Sequence, residues 1–443
     1  MASLLSKESD SEDNKHFPFR LNAYSRSLRG HHLPESLGPV AMHSIPRDTF
    51  EMQLPKSRSL ACLAAATVAQ MAHPLMIKEA RSRSYLVGSV GHTSMLGSEE
   101  LERYFPERKL KLFVGSWNMN GQTPPVYLSD FLLPQNIEFV PDLLVIGTQE
   151  CMGETKEWEA RLQDTLGPSH VLYHSHGLGT LHLAIFLRRD LVWFCSFPEV
   201  DSFSTRPGST FKTKGAVAIA FLLFGTSFLF VNSHLTAHQE NVRDRIKDLT
   251  KINAMLHLPR SLPIRKRHRN LADNFDCAFW CGDLNFRIEQ TREVVIREVQ
   301  DGISVLEFDQ LNYLRSEGLI FSGYTEDPIR FIPTYKYDPG TNNFDTSSKQ
   351  RVPSYTDRIL YKCHKSTPVT PLHYDIVQDV VTSDHKPVWG MWETVLRPGK
   401  DSVPLSGGLF NREIYLEGLK RRSEALKPLT KGRLNMNNMC TLQ

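Results

Sequence analysis

From Lys109 onward, hydrophobic residues fall into short dense runs separated by polar and glycine-bearing stretches. Residues 109–118, KLKLFVGSWN, alternate at first and are then continuously apolar, which predicts a strand. DLLVIGTQE at 142–150 predicts a buried strand that ends in polar residues. LHLAIFLRRDL, GAVAIAFLLFG and SFLFVNSHL follow, and the last two predict a hairpin through Gly225-Thr226. CAFWCGDLNF at 277–286 predicts another strand, RIEQTREVVIREVQDG a helix, and RVPSYTDRILYK and VVTSDHKPVWGMWETVL close the pattern. Many strands with a few helices between them predict an α/β or α+β fold, with two packed β-sheets flanked by helices, in one large domain over 104–395.

Both ends of the chain read differently. Residues 1–103 are rich in Ser, Arg, His and Pro with little periodicity, which predicts a disordered or regulatory region. Within it, Leu60 to Ala72 (LACLAAATVAQMA) combines small apolar residues with good helix propensity. Being too short to span a bilayer, it predicts a docking or partner-binding helix. A basic stretch, Arg265 to Arg269, precedes the GDLNF strand and suits either an anionic membrane or a solvated insertion. Residues 396–443 form a basic tail in which, from Arg397, nine Lys/Arg stand against four Asp/Glu. The tail ends in CTLQ, a prenylation box in which Cys440 would carry the lipid and the terminal Gln favours farnesyl. Lys420, Arg421 and Arg422 lie just upstream, and one lipid plus a polybasic segment is what stable anchoring requires.

Composition narrows the classes. Among 443 residues, 52 basic side chains nearly cancel 49 acidic ones, which excludes a histone-like coat for nucleic acid. A hydrophobic content of 40% fills a sizeable core. Seven cysteines without a pairing pattern predict a reducing compartment. The first residues lack the basic and apolar regions of a secretory signal, and no run reaches the roughly 18 apolar residues of a spanning helix. The expected setting is the cytosolic side of membranes.

Several strands end in the same kind of polar group. Asn118 follows the first, Gln149-Glu150 the second, His234 the hairpin, Asp283 and Asn285 the GDLNF strand, and Asp384-His385 the last. Strand ends converging on one sheet edge build a site from distant sequence. Amide and carboxylate oxygens suit a hard cation such as Mg²⁺, and two histidines with a further aspartate supply acid–base and phosphate-binding groups. Cys277 and Cys281 flank one strand without zinc spacing and read as packing. Taken singly, each polar residue has a plain structural role: Asn118 a turn cap, Glu150 a surface charge, His234 a core histidine, Asp283-x-Asn285 an Asx turn. Their recurrence in this order outweighs those roles.

WNMNG (117–121), QE (149–150), SHL (233–235), FWCGDLNFR (279–287), PSYTDRILY (353–361) and TSDHKPV (382–388) resemble the inositol polyphosphate 5-phosphatase family. That family belongs to the deoxyribonuclease I/exonuclease III-like endonuclease/exonuclease/phosphatase superfamily of Mg²⁺-dependent phosphoesterases, whose sandwich fold is thereby implied. Tyr355-Thr356 in the second signature, ELERYFPER upstream and the final CTLQ are similar to the family's type IV branch, although the Pro-x-x-P content of that branch's N-terminal region is poorly represented. The resemblance implies Glu150 and Asn118 as Mg²⁺ ligands with Asp384 as an outer ligand. Asp283 would orient or deprotonate the attacking water, and Asn285 would bond the water or a phosphoryl oxygen. His385, oriented by Asp357, and His234 would bond the phosphate. Lys214, Tyr335, Lys336, Lys349, Arg351 and Arg358 would bind substrate, with Tyr335-Lys336 and Lys349-x-Arg351 near a 4-phosphate. The lack of a CxxxxxR loop points to direct displacement by water. The implied substrates are phosphoinositide lipids, chiefly the 4,5-bisphosphate and 3,4,5-trisphosphate with the 3,5-bisphosphate beside them, and prenyl-binding carrier proteins, a cilium and Golgi setting and no nucleic-acid partner follow from the same resemblance. A nuclease of the superfamily and an inert prenylated scaffold are the competing readings.

Overall fold

The computed structural model of the chain describes residues 95–434, apart from 207, 209–212, 265–267, 269 and 401, with side chains described as far as 425. Leu60–Ala72, Cys440 and most of Arg265–Arg269 lie outside the described residues. Helix α1 (Ser98–Tyr104) leads into β1 (Lys109–Asn118), followed by α2 (Ser129–Leu132), β2 (Leu143–Gln149), α3 (Thr155–Leu166), β3 (His170–Leu178) and β4 (Leu181–Arg188). Then come β5 (Glu199–Ser204), β6 (Gly215–Leu223), β7 (Thr226–His234), α4 (Val242–Met255) and β8 (Cys277–Asp283). The order ends with α5 (Arg292–Gln300), α6 (Gln310–Ser316), β9 (Asp357–Cys363), β10 (Val369–Ile376), β11 (Val388–Val395) and α7 (Arg412–Leu434).

The strands form a six-stranded sheet, β10-β11-β1-β2-β4-β3, and a five-stranded sheet, β5-β6-β7-β8-β9. β1 and β2 run parallel, as do β7 and β8, so the last residues of each pair, Asn118 with Gln149 and His234 with Asp283, finish side by side. Alternation then decides what faces what. Leu112 and Val114 of β1, Val145 of β2, Phe230 of β7 and Phe279 of β8 fill the space between the sheets. Residues of the opposite parity, such as Phe113 and Ile146, pack outward against Trp158 and Leu162 of α3. On the other sheet, Ala216, Ala218 and Ala220 present a shallow outer face, in one cluster with Leu249 and Ile252 of α4. Strands covered on both sides read as unbroken apolar runs, and that is why these were legible. At Gly147 a Cβ would stand 2.9 Å from the Asn232 side chain, so the absence of one lets the sheets close beneath the site.

Three expectations shift. The β6–β7 hairpin turns through Phe224 and Gly225, with Thr226 already paired to Leu223. The 277–286 run leaves the sheet at Asp283, where Leu284 N–H donates to Thr356 O and Asn285 adopts φ +59°. The expected tail carries α7, which packs back on the domain: Ile414 and Tyr415 are buried, and Arg421 pairs with Glu157 of α3 at 2.8 Å. Arg422 donates to the Asp164 carbonyl, also on α3.

His170 at the start of β3 is fully buried, with Nε2 2.8 Å from the Pro141 carbonyl and Nδ1 2.9 Å from Ser169 Oγ. Burial holds its pKa down at about 4, against the opposing pull of the Pro141 carbonyl. A depressed histidine pKa contributes stability that is present above the unfolded value of about 6.5 and lost as pH falls towards 4, to a total of about 3 kcal/mol. Urea unfolding from pH 7 to 4.5 should therefore decline less steeply for His170→Gln than for the wild type. Parallel profiles would show that His170 is not the titrating group.

Candidate active site

The residues that end the central strands share the parity of the inter-sheet core, so the apolar interior opens at one edge into a polar cluster. Asn118, Gln149, His234, Asp283 and Asp357 are all nearly fully buried there. A floor of hydrogen bonds lies below them. Gln149 Nε2 donates to Asn232 Oδ1 at 2.6 Å, and Asn232 Nδ2 donates to the carbonyls of Thr148 and His182, both at 2.9 Å. These bonds tie one sheet to the other directly beneath the cluster.

Asp283 is the hub. Its Oδ2 accepts from Asn118 Nδ2 at 3.0 Å and lies 3.1 Å from His234 Nε2, while Oδ1 accepts from Asn285 N–H at 3.0 Å. Burial alone would raise its pKa, yet His234, His385 and Lys214 together hold the carboxyl well below the usual range. Lys214 Nζ touches His234 Nε2. Burial lowers the Lys214 pKa to about 8, and burial followed by the Lys214 charge also lowers that of His234.

Across the β8–β9 ladder Asp283 faces Asp357. Asp357 Oδ2 sits 2.8 Å from His385 Nδ1 and accepts from Thr334 Oγ1 at 2.7 Å and Thr356 Oγ1 at 2.9 Å. Burial would lower the pKa of His385, but Asp357, Asp283 and Asp384 outweigh it and raise it to about 10. His385 is therefore an imidazolium at neutral pH, with Nε2–H 4.0 Å from Asp283 Oδ2. Asp283, Asp357 and His385 approach closely enough to suggest a cation site, but a doubly protonated ring donates and does not ligate. The better fit for a divalent cation is Glu150 with Asn118. The Glu150 side chain is 39% exposed on a backbone at φ +51°, and its carboxylate accepts no hydrogen bond among the described residues; His234 Nε2 lies 3.9 Å away. Among the described residues Asn118 Oδ1 accepts only the Asn120 N–H, leaving a lone pair. Such hard, underused oxygens suit a divalent cation.

The remaining expected residues divide. Tyr335 packs at a tilt of 36° against His385 with centroids 4.4 Å apart, and Arg287 lies 4.4 Å from the centroid of the Tyr335 ring. Arg287, Tyr335 and Arg351 line a cavity of about 70 Å³ with Ala237, His238, Gln239 and Val352. Arg287 also bonds Asn285 Oδ1, and Asn285 Nδ2 donates to the Leu235 carbonyl, so that amide is committed inside the protein. Arg287 closes the FWCGDLNFR motif, and nothing local in the sequence marks it as part of the site. Lys349 is exposed in a turn and makes no side-chain contact with the cluster. Two expected residues are engaged elsewhere. Asp384, expected as an outer metal ligand, gives Oδ2 to Lys336 Nζ at 2.6 Å, a pairing across 48 residues of chain. Arg358, expected to bind substrate, is fully buried between Asp309 and Glu326 at 2.7 Å each, because it follows Asp357 on β9 and so points to the opposite face.

Residues 115–391 match the endonuclease/exonuclease/phosphatase family 2 model. The inositol polyphosphate 5-phosphatase domain of SPsynaptojanin, solved with inositol (1,4)-bisphosphate and a calcium ion, is 31% identical, with a TM-score of 0.58 over 73% of this chain and 93% of that one. The chain belongs to the inositol polyphosphate 5-phosphatase family. It is 42% identical over 421 residues to mouse phosphatidylinositol polyphosphate 5-phosphatase type IV, covering 93% of this chain and 63% of that protein. The yeast polyphosphatidylinositol phosphatase INP53 is 33% identical over 69% of this chain and 28% of its own. The chain thus spans less than two thirds of the type IV relatives it matches. The two-sheet sandwich with flanking helices is the deoxyribonuclease I-like fold expected of the family.

Arg358 separates support from binding. Arg358→Lys loses the paired bonds to Glu326 and should lower stability by about 2 kcal/mol. KM per folded molecule should stay within about twofold. A tenfold rise in KM at unchanged stability would restore Arg358 to the substrate site.

Proposed function

We propose that this protein is a Mg²⁺-dependent phosphoinositide 5-phosphatase acting on phosphatidylinositol 4,5-bisphosphate and 3,4,5-trisphosphate, and also on the 3,5-bisphosphate. The observation that carries this reading is the Asp283 carboxylate, buried among Asn118 and His234 and opposed by the Asp357–His385 pair. Family membership supports it, as does the naming of the relatives as phosphatidylinositol phosphatases.

Phosphate ester hydrolysis rests mainly on positioning and charge neutralisation. Asp283 orients a water and accepts its proton as the water attacks phosphorus in line. His385 donates Nε2–H to a phosphoryl oxygen, and Asp357 keeps the ring charged and aimed. His234, held by Lys214, contributes to the same oxygens. Held by Glu150 and Asn118, Mg²⁺ would neutralise charge on the phosphoryl and leaving oxygens. Arg287, Arg351 and Lys336 surround Tyr335 and offer cations to a neighbouring phosphate of the headgroup. A near-neutral formal charge of +3 favours a headgroup over a nucleic-acid duplex.

The cellular setting belongs to the same proposal. Cys440 in CTLQ carries a farnesyl chain, the basic residues near it hold the protein at the cytosolic face of cilium and Golgi membranes, and prenyl-binding carriers maintain a cytosolic pool. Arg421 and Arg422 are engaged with α3, so the electrostatic share falls to Lys420 and the basic residues after 425.

Phosphate release from short-chain phosphatidylinositol 4,5-bisphosphate tests the chemistry. Mg²⁺ should support turnover, EDTA should abolish it, and Asp283→Asn should lower kcat by about 10²–10⁴-fold with the fold intact. Cleavage of abasic DNA without release from the lipid would favour the nuclease, and no turnover of either would favour the scaffold. The address is tested separately: Cys440→Ser should release the protein from cell membranes with kcat on a soluble headgroup unchanged. Unaltered membrane fractionation of that variant would refute lipid anchoring.

A further inference from the structure

Cys277 opens β8 and Cys363 closes β9, and the antiparallel register sets the two directly opposite each other. Which kind of pair they form follows from the bonds on either side. His364 N–H donates to the Asp276 carbonyl, and Leu284 N–H donates to the Thr356 carbonyl, so pairs with an even-numbered β8-side residue are the hydrogen-bonded ones. Cys277–Cys363 is therefore a non-hydrogen-bonded pair, the kind in which Cα atoms stand about 4.5 Å apart and side chains approach most closely. A disulfide accepts Cα separations of about 4.4–6.8 Å. Both side chains take the inter-sheet face, Cys277 within the core and Cys363 packed at its edge. Both are free thiols in this structure. Cys277 is buried and Cys363, at the end of β9, is partly exposed.

We propose that Cys277 and Cys363 are an oxidisable dithiol that closes to a reversible cross-strand disulfide when the protein meets a hydroperoxide. One of the two sulfurs, as thiolate, attacks the peroxide, the O–O bond breaks, and a sulfenic acid and water (or an alcohol) result. The other then attacks the sulfenic sulfur, forming the S–S bond and expelling water. Two thiols lose two electrons and two protons, and one peroxide is reduced. A small thiol reverses the bond by exchange at the partly exposed Cys363. Cys151, also partly exposed, and the buried Cys195 and Cys281 have no opposed cysteine in the strand registers, so the same oxidant leaves them without a resolving partner.

The test uses the full chain, treated with a small excess of hydrogen peroxide, alkylated, and digested without reductant. Mass spectrometry should find the peptide containing Cys277 linked to the peptide beginning at Cys363, with fragmentation placing the bond on Cys277 and not Cys281. Dithiothreitol should remove the link. Oxidation should raise Tm by about 5 °C, because the bond closes a long loop in the unfolded chain. The shift should vanish in Cys363→Ser, which removes the thiol of the partly exposed residue with little disturbance to the core. Recovery of Cys277 as its alkylated thiol while Cys363 advances to sulfinic acid would overturn the proposal, as would a link to Cys281. A Tm shift that persists in Cys363→Ser would equally overturn it.

Discussion

A carboxylate taken out of water must be matched by donors, and Asp283 imposes that condition on everything around it. Its oxygens draw in Asn118 from β1, His234 from β7 and the Asn285 backbone just beyond β8, elements remote from one another in sequence. The two parallel pairs at the centres of the sheets deliver those groups to one edge because parallel neighbours finish together. The charge Asp283 keeps adds to that of Asp357 in raising His385 and helps sustain Lys214, even though burial pushes both down.

Other buried charges hold the frame that the site stands on. Arg358 joins the start of α6 to the 326 loop through Asp309 and Glu326. Arg245 donates to the carbonyls of Thr236, His238 and Gln239 and to Gln310 Oε1, which also accepts the Arg287 N–H. Two walls of the small cavity beside Tyr335 are thereby referred to one buried hub. Lys386, fully buried, donates to the carbonyls of Gln378 and Val380 and to Asn342, pinning the loop that carries Asp384 and His385. These cations were invisible as supports in the sequence, where they look like any loop charge.

What could be read ahead of the structure followed local rules. Continuous apolar runs located β1, β2, β6, β7 and β8, and polar residues at their ends marked the edge where the site forms. What could not be read depended on partners far away along the chain. Lys336 has no helical-spacing partner in its own segment to reveal Asp384, and nothing near Arg421 announces Glu157. The docking of α7 was hidden for this reason: a few buried residues such as Ile414 and Tyr415, with ion pairs to a distant helix, leave a sequence that still looks like a solvated basic tail. Arg358 is the exception that was within reach. Strand alternation after Asp357 already turns it away from the site, and proximity within a motif is no guide to direction.

That same alternation has a second consequence on β8 and β9. Odd-numbered residues of both strands point between the sheets and sit at non-hydrogen-bonded positions, where opposed side chains come closest. At one end of the ladder this register sets Asp283 against Asp357, and His385 lies beside both like charges. In the middle it sets Phe279 against Tyr361, which stack with centroids 5.6 Å apart. At the far end it sets Cys277 against Cys363. One geometric rule thus places an electrostatic pair, an aromatic pair and a thiol pair along a single ladder. The chemistry available at each rung is decided by which side chains the register opposes, and a slip of one residue would abolish all three together.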